Sequence, residues 1–257
     1  MPAGKLPSNP LNLPTIKRPS KSMVEALKKI GSATASGELS RLGFKRCTII
    51  GPTNWSPGMV MAGPALTLQF MPKREDVYND AEYVGPDKQL HRHVLYQAEP
   101  GDVVVVDARG EMSSGVFGEM MMTYFKGRGG AGVVIDGCLR DISEIKKLGM
   151  GLWLKGATPN FHTQTIQYPY AVNVPIACGG VLVMPGDIII ADDDGVVAVP
   201  ISAAPELVKK AGEHVEWEVF SRMRLSQGGD LRTYYPLTDE AHVEYEVWKK
   251  KQSKKRT

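Results

Sequence analysis

The sequence has little of what marks membrane, secreted or disulfide-stabilised proteins. Its 257 residues include only three cysteines, Cys47, Cys138 and Cys178, spaced neither as metal ligands nor as a disulfide framework. No apolar run approaches the roughly 20 residues that cross a bilayer, and the proline-rich start, residues 1–20, lacks the apolar centre of a secretory signal. We therefore expect a protein of a reducing compartment, the cytoplasm, with no membrane partner.

The sequence also lacks a large excess of either charge, because the formal net charge is only +3. Much of that excess lies in the last nine residues, which read as a solvated basic tail. With 42% apolar and 23% charged residues, the composition is that of a soluble globular protein. We expect no nucleic acid partner.

The pattern predicts an α/β protein without the strict strand–helix alternation of a doubly wound sheet. Two turns, Pro100-Gly101-Asp102 and Pro185-Gly186-Asp187, lead into uninterrupted β-branched runs, which predicts strands buried on both faces. Residues 1–19 form an extended arm that either wraps a neighbour or is loose, and 73–89 read as an inserted loop. The predicted helices are 21–30, 37–42, 91–98, 203–226 and 239–250, and the predicted β regions are 48–70, 103–106, 188–190 and 195–199.

The most informative feature is a pair of short motifs, Gly118-Glu119-Met120-Met121 and Asp136-Gly137-Cys138-Leu139-Arg140-Asp141. Twenty residues separate Glu119 from Arg140, enough for a helix over 120–126, a glycine turn and a return strand over 132–135. Both ends of such a unit reach the same sheet edge, where α/β proteins place their sites. A guanidinium with two acids can hold a divalent cation beside a carboxylate-bearing substrate.

Each part of this constellation also has a structural explanation. Asp141 and Glu144 have the spacing of a capping box, and Glu119 suits the first turn of a helix. Gly118 would let a ligand approach the N–H groups at a helix start. The methionines 120–122 favour core packing over a ligand role.

Five weaker candidates have ordinary explanations that the sequence favours. His91 and His93 have a strand-type metal spacing, but they fall where a helix is expected, and a surface or core role is favoured. The others are an acidic turn (Asp192-Asp193-Asp194), a lysine without a desolvating environment (Lys155), a glycine run without a preceding strand (127–132) and a packed thiol (Cys138).

These motifs resemble the RraA-like family, which includes the class II 4-hydroxy-4-methyl-2-oxoglutarate / 4-carboxy-4-hydroxy-2-oxoadipate aldolases. The resemblance covers roughly residues 45–235. The family's functional signature is an acid, followed after twenty residues by Arg-Asp. The stretches that carry it best are Gly63-Pro64-Ala65, 100–107, 128–141, Cys178-Gly179-Gly180-Val181 and 185–200.

The resemblance implies a role for each site residue. Asp141 would hold Mg²⁺ or Mn²⁺, partly through waters, and Arg140 would bind the pyruvyl part of the substrate. Residues 118–121 would line the carboxylate site with backbone donors. Glu218, with Glu216 as the fallback, would correspond to a catalytic glutamate that the family takes from the C-terminal helix of an adjacent subunit.

The resemblance also implies the fold and the assembly. The expected core is the swivelling β/β/α type of phosphohistidine domains, with short N-terminal helices and a C-terminal helical extension. The predicted division is an arm (1–19), a catalytic domain (20–235) and a terminal helix with a basic tail (236–257). The expected assembly is a homotrimer or a dimer of trimers.

The implied activity is metal-dependent retro-aldol cleavage of a 4-hydroxy-2-oxo acid that releases pyruvate, with oxaloacetate decarboxylation as a side activity. Two other hypotheses stay open: a non-catalytic regulator that binds a ribonuclease, and an isomerase or hydratase using the same metal-enolate chemistry. One departure bears on the choice, because the aldolases have Asp at the first signature position and this chain has Glu119.

Overall fold

The computed structural model describes residues 11–78, 85–161 and 165–255. It divides into two compact units, Met1–Pro205 and Glu206–Thr257. Within the described ranges no helix is long and apolar enough to cross a membrane.

The helices and strands of the described residues follow in chain order. The α-helices are α1 (Lys21–Ile30), α2 (Ser32–Arg41), α3 (Leu90–Tyr96), α4 (Glu119–Gly127), α5 (Ile142–Lys147), α6 (Ala204–Ser226), α7 (Leu231–Tyr234) and α8 (Asp239–Lys255). The strands are β1 (Thr48–Ile49), β2 (Thr53–Asn54), β3 (Met61–Pro72), β4 (Val103–Asp107), β5 (Gly132–Leu139), β6 (Gly151–Ala157), β7 (Gln167–Val172), β8 (Ile176–Cys178), β9 (Val181–Val183), β10 (Ile188–Asp192) and β11 (Gly195–Val199).

The first unit is built on a mixed sheet with the strand order β1-β11-β10-β3-β4-β5-β6-β2. Strands β3, β4, β5 and β6 run parallel, whereas β10, β11, β1 and β2 pair antiparallel. Strand β7 also pairs with β3, and β8 and β9 form a separate two-stranded sheet. The predicted α/β class without strict alternation is confirmed.

Strand β3 belongs to both halves of this sheet. Its residues Met61–Pro64 pair with β10, and Ala65–Gln69 pair with β4. The central strands β4 and β5 are buried along their whole length. Their apolar side chains pack alternately into two clusters, one on each face, as expected of strands covered on both sides.

A β-bulge interrupts β5 just before the residues of interest. Ile135 pairs with Leu154 and Cys138 with Gly156, so three steps along β5 match two along β6. Lys155 is the β6 residue at this point, and its Nζ lies 3.2 Å from Oδ1 of Asp136. The segment 136–139, which the motif placed in a turn, is therefore strand, and the predicted end at 135 was too early.

The arm does not stay loose where it is described. Residues Leu13 and Ile16 pack against the core of the first unit. Arg18 donates from Nε and Nη2 to the carboxylate of Asp102, at 3.0 and 2.8 Å, and from Nη2 to the carbonyl of Gln97. Residues 11–19 are thus fastened to their own chain. The first ten residues and 79–84 of the predicted inserted loop lie outside the described residues.

The second unit consists of α6, α7 and α8, whose aromatic side chains cluster around Phe220. Tyr234, Tyr245 and Trp248 have ring centroids within 6.1 Å of it. The ion pair Arg224–Glu244 also joins α6 to α8 at 2.6 Å. Much of the predicted basic tail is helical, because α8 continues to Lys255.

Candidate active site

A cleft of about 410 Å³ lies where α4 begins and β5 ends. This volume is within the range of small-molecule sites. The side chains of both sequence motifs line it together. Its lining residues are Gln89, His91, Arg92, Gly115, Val116, Phe117, Gly118, Glu119, Met120, Met121, Arg140, Asp141 and Phe161.

Gly118 brings the two motifs into contact because it has no side chain. A Cβ at this position would lie 2.7 Å from Oδ2 of Asp141 and 2.8 Å from Nε of Arg140. The φ of Gly118 is −113°, which any residue adopts, so the requirement is for space and not for backbone freedom. The glycine lets an acid and a guanidinium lie against the start of α4.

Asp141 does not act as the predicted helix cap. It precedes α5 in the left-handed conformation, with φ of 58°, and its side chain makes no capping hydrogen bond. Instead, Oδ2 accepts from the backbone N–H of Glu119 at 3.1 Å and lies 3.5 Å from Nε of Arg140. The capping-box interpretation is therefore wrong: the contact with the start of α4 replaces the local bond to Glu144.

Arg140 is anchored by its backbone and exposed at its head. Its N–H donates to the carbonyl of Phe117 at 3.1 Å. Its guanidinium carbon lies 5.9 Å from the centre of the Phe161 ring, and 39% of the side chain is exposed. Stacking holds the guanidinium plane while leaving its edge to pair with a ligand carboxylate.

The start of α4 supplies both a carboxylate and backbone donors. The first intrahelical bond runs from Met122 N to Gly118 O, so the N–H groups of Met120 and Met121 precede the helical ladder. Thr123 Oγ1 lies 3.3 Å from Oε1 of Glu119, and as the hydroxyl it donates. Free N–H groups at a helix start are the kind of donors that bind anions, and here they lie next to an acid.

The methionines of this helix do not share one role. Met122 is fully buried in the core, as the packing interpretation predicted. Met120 is 69% exposed and, with Met121, lines the cleft. The core-packing expectation is therefore wrong for Met120.

The acids of the cleft suit a hard divalent cation. Asp141 is exposed and Glu119 is half-buried, and both line the same space. Among residues 11–78, 85–161 and 165–255, no three His, Cys, Asp or Glu side chains form a metal cluster. Because Mg²⁺ keeps several waters and uses one or two carboxylates with ligand oxygens, this sparse donor set fits it.

The histidine pair has the core position that the sequence favoured. His91 and His93 are each 2% exposed on α3. Nε2 of His93 lies 2.6 Å from the carbonyl of Asp87, so that ring serves the structure. His91 lines the cleft, with its ring centre 6.4 Å from that of Phe117.

Three further lining residues were not singled out from the sequence: Gln89, Arg92 and Phe161. Gln89 and Arg92 belong to α3 and its start, and α3 packs beside α4. Phe161 follows β6 and bridges to Gly115. No local motif marks any of them, because their positions depend on contacts between distant segments.

The other weak candidates have structural partners. Cys138 is buried, its Sγ lies 3.3 Å from the carbonyl of Met112, and burial raises the pKa of its thiol. Asp192 accepts from the backbone of Ser32 at 2.7 Å, which ties the acidic turn to α2. Lys155 pairs with Asp136 across the bulge. Each of these side chains therefore has a structural contact within the described part of the chain.

The glutamates proposed to complete a neighbouring site lie on α6. Nε2 of His214 is 3.0 Å from Oε1 of Glu218, and Glu216 pairs with Lys249 at 2.7 Å. Glu218 also lines a hollow of about 430 Å³ within the second unit, beside Arg222. Their catalytic role stays a prediction.

Comparisons with known proteins agree with the expected fold. The crystal structure of Streptomyces coelicolor RraAS2, described as an unusual member of the RNase ES inhibitor RraA family, is 45% identical and has a TM-score of 0.73, covering 81% of this chain and 99% of that one. A protein of unassigned function from Pseudomonas syringae pv. tomato is 25% identical, with a TM-score of 0.71 over 85% of this chain and 98% of its own.

A curated relative points to an activity. A Halalkalibacterium halodurans protein, provisionally named a 4-hydroxy-4-methyl-2-oxoglutarate aldolase, is 38% identical over 117 residues. The match covers 46% of this chain and only 55% of that relative. The family model described as RraA-like (Aldolase/RraA) matches residues 33–198, beginning and ending earlier than the predicted 45–235. The chain belongs to the RraA-like family.

Proposed function

We propose that this protein is a divalent-metal-dependent carbon–carbon lyase that cleaves a 4-hydroxy-2-oxo acid and releases pyruvate. The observation that carries the proposal is the meeting of Arg140, Asp141 and the first turn of α4 in one cleft. The provisionally named aldolase relative supports the same reaction class.

The cleft residues divide substrate binding among them. The guanidinium of Arg140 pairs with the carboxylate of the pyruvyl part, in the forked geometry that arginine favours. The N–H groups of Met120 and Met121 stabilise negative charge on the same fragment, since a helix start attracts anions. Asp141 would hold Mg²⁺ or Mn²⁺, which would supply Lewis-acid stabilisation of the keto oxygen when bound.

Bond cleavage needs a group that moves one proton. Glu119, or Glu218 of an adjacent subunit, accepts the proton of the C4 hydroxyl as the C3–C4 bond breaks. The bonding pair remains on the three-carbon fragment as an enolate, which takes a proton at C3 to become pyruvate. Oxaloacetate would lose CO₂ to give the same enolate, so decarboxylation is the expected side reaction. The role of Glu218 requires a trimer or a dimer of trimers, which mass measurement in solution tests.

A pyruvate-release assay tests this proposal. The chelated enzyme, with and without added Mg²⁺, is given 4-hydroxy-4-methyl-2-oxoglutarate and oxaloacetate. We expect metal-stimulated release that falls about 100-fold or more in Arg140→Ala and Asp141→Asn, because each loses charge stabilisation. Glu144→Gln, on the exposed side of α5, is the matched control. Rates that stay the same in both cleft variants would overturn the proposal.

The alternative function is inhibition of a ribonuclease by protein contact. The 45% identity to RraAS2 over nearly all of that chain favours it. Retention of a ribonuclease of the E/ES type on the immobilised protein, together with absence of metal-stimulated pyruvate release, would establish this function instead of the lyase. Fold alone does not choose between them, because function depends on the site.

A further inference from the structure

The cleft contains a second guanidinium, which the proposed mechanism does not use. Arg92 lies on α3 and lines the cleft together with Arg140. Its Nε donates to Oε1 of Gln89 at 2.6 Å, and its backbone N–H donates to the carbonyl of Gln89. The Nε edge of the guanidinium is therefore held at the start of α3, and the side chain lines the cleft.

No carboxylate of the described residues forms an ion pair with Arg92. The acids lining the cleft are Glu119 and Asp141; Asp141 contacts Glu119 N and Arg140, and Glu119 contacts Thr123. A half-buried arginine that lines a ligand-sized space and pairs with no acid among the described residues is suited to bind an anion from outside the chain.

The formal charges of the cleft favour a ligand with two negative groups. Its two guanidinium groups balance its two carboxylates. A divalent cation held by Asp141 would add two positive charges, which a dicarboxylate neutralises and a monocarboxylate does not. A second carboxylate therefore has both an electrostatic reason to bind and a fork-shaped donor to receive it.

A neighbouring groove extends the cleft toward α3. A groove of about 230 Å³ between α3 and α4 shares Arg92, Met120 and Met121 with the cleft. Leu95, Tyr96 and Tyr124 complete its largely apolar wall. Arg92 is the cationic residue common to both spaces, so it is placed where a substituent extending toward α3 would pass.

We propose that Arg92 is a specificity-determining residue that binds the second carboxylate of a dicarboxylic 2-oxo acid. This inference rests on the proposed lyase function and deepens it, because it assigns recognition of the far end of the substrate to a residue outside the family signature. Arg140 binds the reacting end, and Arg92 selects what is attached to it.

The test compares two substrates that differ only at this end. 4-Hydroxy-4-methyl-2-oxoglutarate has a carboxylate where 4-hydroxy-4-methyl-2-oxopentanoate has a methyl group, and both release pyruvate. In Arg92→Gln we expect kcat/KM for the diacid to fall about 10- to 100-fold, the usual effect of losing a charge-assisted hydrogen bond. The value for the monoacid should change less than about twofold, and Arg92→Lys should recover part of the diacid rate.

Binding of uncleavable ligands gives a second measurement without turnover. In calorimetry with Mg²⁺, the wild type should bind 2-oxoglutarate more tightly than 2-oxopentanoate, and Arg92→Gln should lose that preference. Lys147→Gln, which removes an exposed charge on α5, is the control and should keep it.

The outcomes separate the two proposals. Equal losses for both substrates in Arg92→Gln, or a wild type without preference for the diacid, would overturn the role of Arg92 while leaving the lyase intact. Absence of pyruvate release from the wild type, with a diacid binding preference that Arg92→Gln abolishes, would end the lyase proposal and support the anion site.

Discussion

The backbone N–H of Glu119 donates to Oδ2 of Asp141 at 3.1 Å, across 22 positions of sequence. This bond joins the start of α4 to the residue after β5. It also holds the Asp141 carboxylate against Glu119, the other acid of the signature. The close packing at Gly118 makes this arrangement possible.

Gly118→Ala should impair activity far more than folding. The added methyl would lie 2.7 Å from Oδ2 of Asp141 and 2.8 Å from Nε of Arg140, so both groups must move. A displacement of this kind near the reacting atoms costs about 100-fold in kcat/KM. Gly127→Ala, at the other end of α4, meets nothing within 4 Å and should keep full activity. Equal activities of the two variants would contradict this account of the site.

The Lys155–Asp136 pair should stabilise the β5 bulge. The pair spans 3.2 Å, and the side chains are 33% and 12% exposed, so solvent screens it only in part. Lys155→Met should lower the free energy of unfolding by about 1–3 kcal/mol, less than a fully buried pair would lose. Adding Asp136→Asn should restore part of the loss, because the uncompensated charge is removed.

Denaturant unfolding measures these changes in free energy, and the loss of an exposed ion pair serves as the comparison. Lys147→Met breaks the pair with Glu144, whose side chains are more than half exposed, and should cost less than about 1 kcal/mol. A Lys155→Met effect no larger than this control would show that the pair contributes little to the bulge.

The arm should be held by a pH-dependent ion pair. Burial raises the pKa of Asp102, and the hydrogen bond and charge of Arg18 oppose that rise. In Arg18→Met the pKa of the folded carboxyl should rise further, so the folded state holds its proton more tightly. The electrostatic destabilisation by Arg18→Met is absent at low pH, where Asp102 is protonated in both folded proteins. It grows as pH rises from the folded pKa of the wild type to the higher folded pKa of the variant, and it is constant above that.

Unfolding at two pH values measures this effect. Arg18→Met should lose about 2–4 kcal/mol at pH 7 and clearly less at pH 4. Arg232→Met, which removes an exposed partner of Asp230, should change the free energy of unfolding little at either pH. A loss from Arg18→Met that does not depend on pH would assign the effect to packing and not to the carboxylate.

The three thiols should differ in reactivity. Cys138 and Cys178 are buried, whereas Cys47 is half-buried. Burial, followed by the charge of Asp187, raises the pKa of Cys47, so its thiolate fraction is lower than that of free cysteine at any given pH. Native protein should react with a thiol reagent at one site, and the rate should still increase above pH 9. Cys47→Ser should abolish that reaction; its persistence would mean that a buried thiol becomes accessible.

The parts of the fold that the sequence predicted best are the ones with local causes. The run Val103–Val106 and the segment 195–199 are strands because their β-branched side chains are buried, and tight turns precede them. The helix and strand between Glu119 and Arg140 form one local unit. The number of residues between the two motifs was therefore enough to predict that they lie close together. The residues at the two ends of the signature line the same cleft: Gly118, Glu119, Arg140 and Asp141.

The parts that the sequence did not predict depend on distant contacts. Strand β7 contains Pro169 and pairs with β3 across a register shift at Gln69, which no local pattern encodes. The pattern of Asp141 predicted a cap, but a backbone donor from another helix competed successfully for its carboxylate. Arg92 reaches the cleft only because α3 packs beside α4.

The course of β3 has a consequence for how the first unit opens. One continuous backbone segment bonds to β10 up to Pro64 and to β4 from Ala65 onward. Unfolding of β3 would therefore break the pairing of both flanks at once. Amide protons in β10 and in β5 should therefore exchange with solvent through the same rare, concerted opening, at nearly the same free energy.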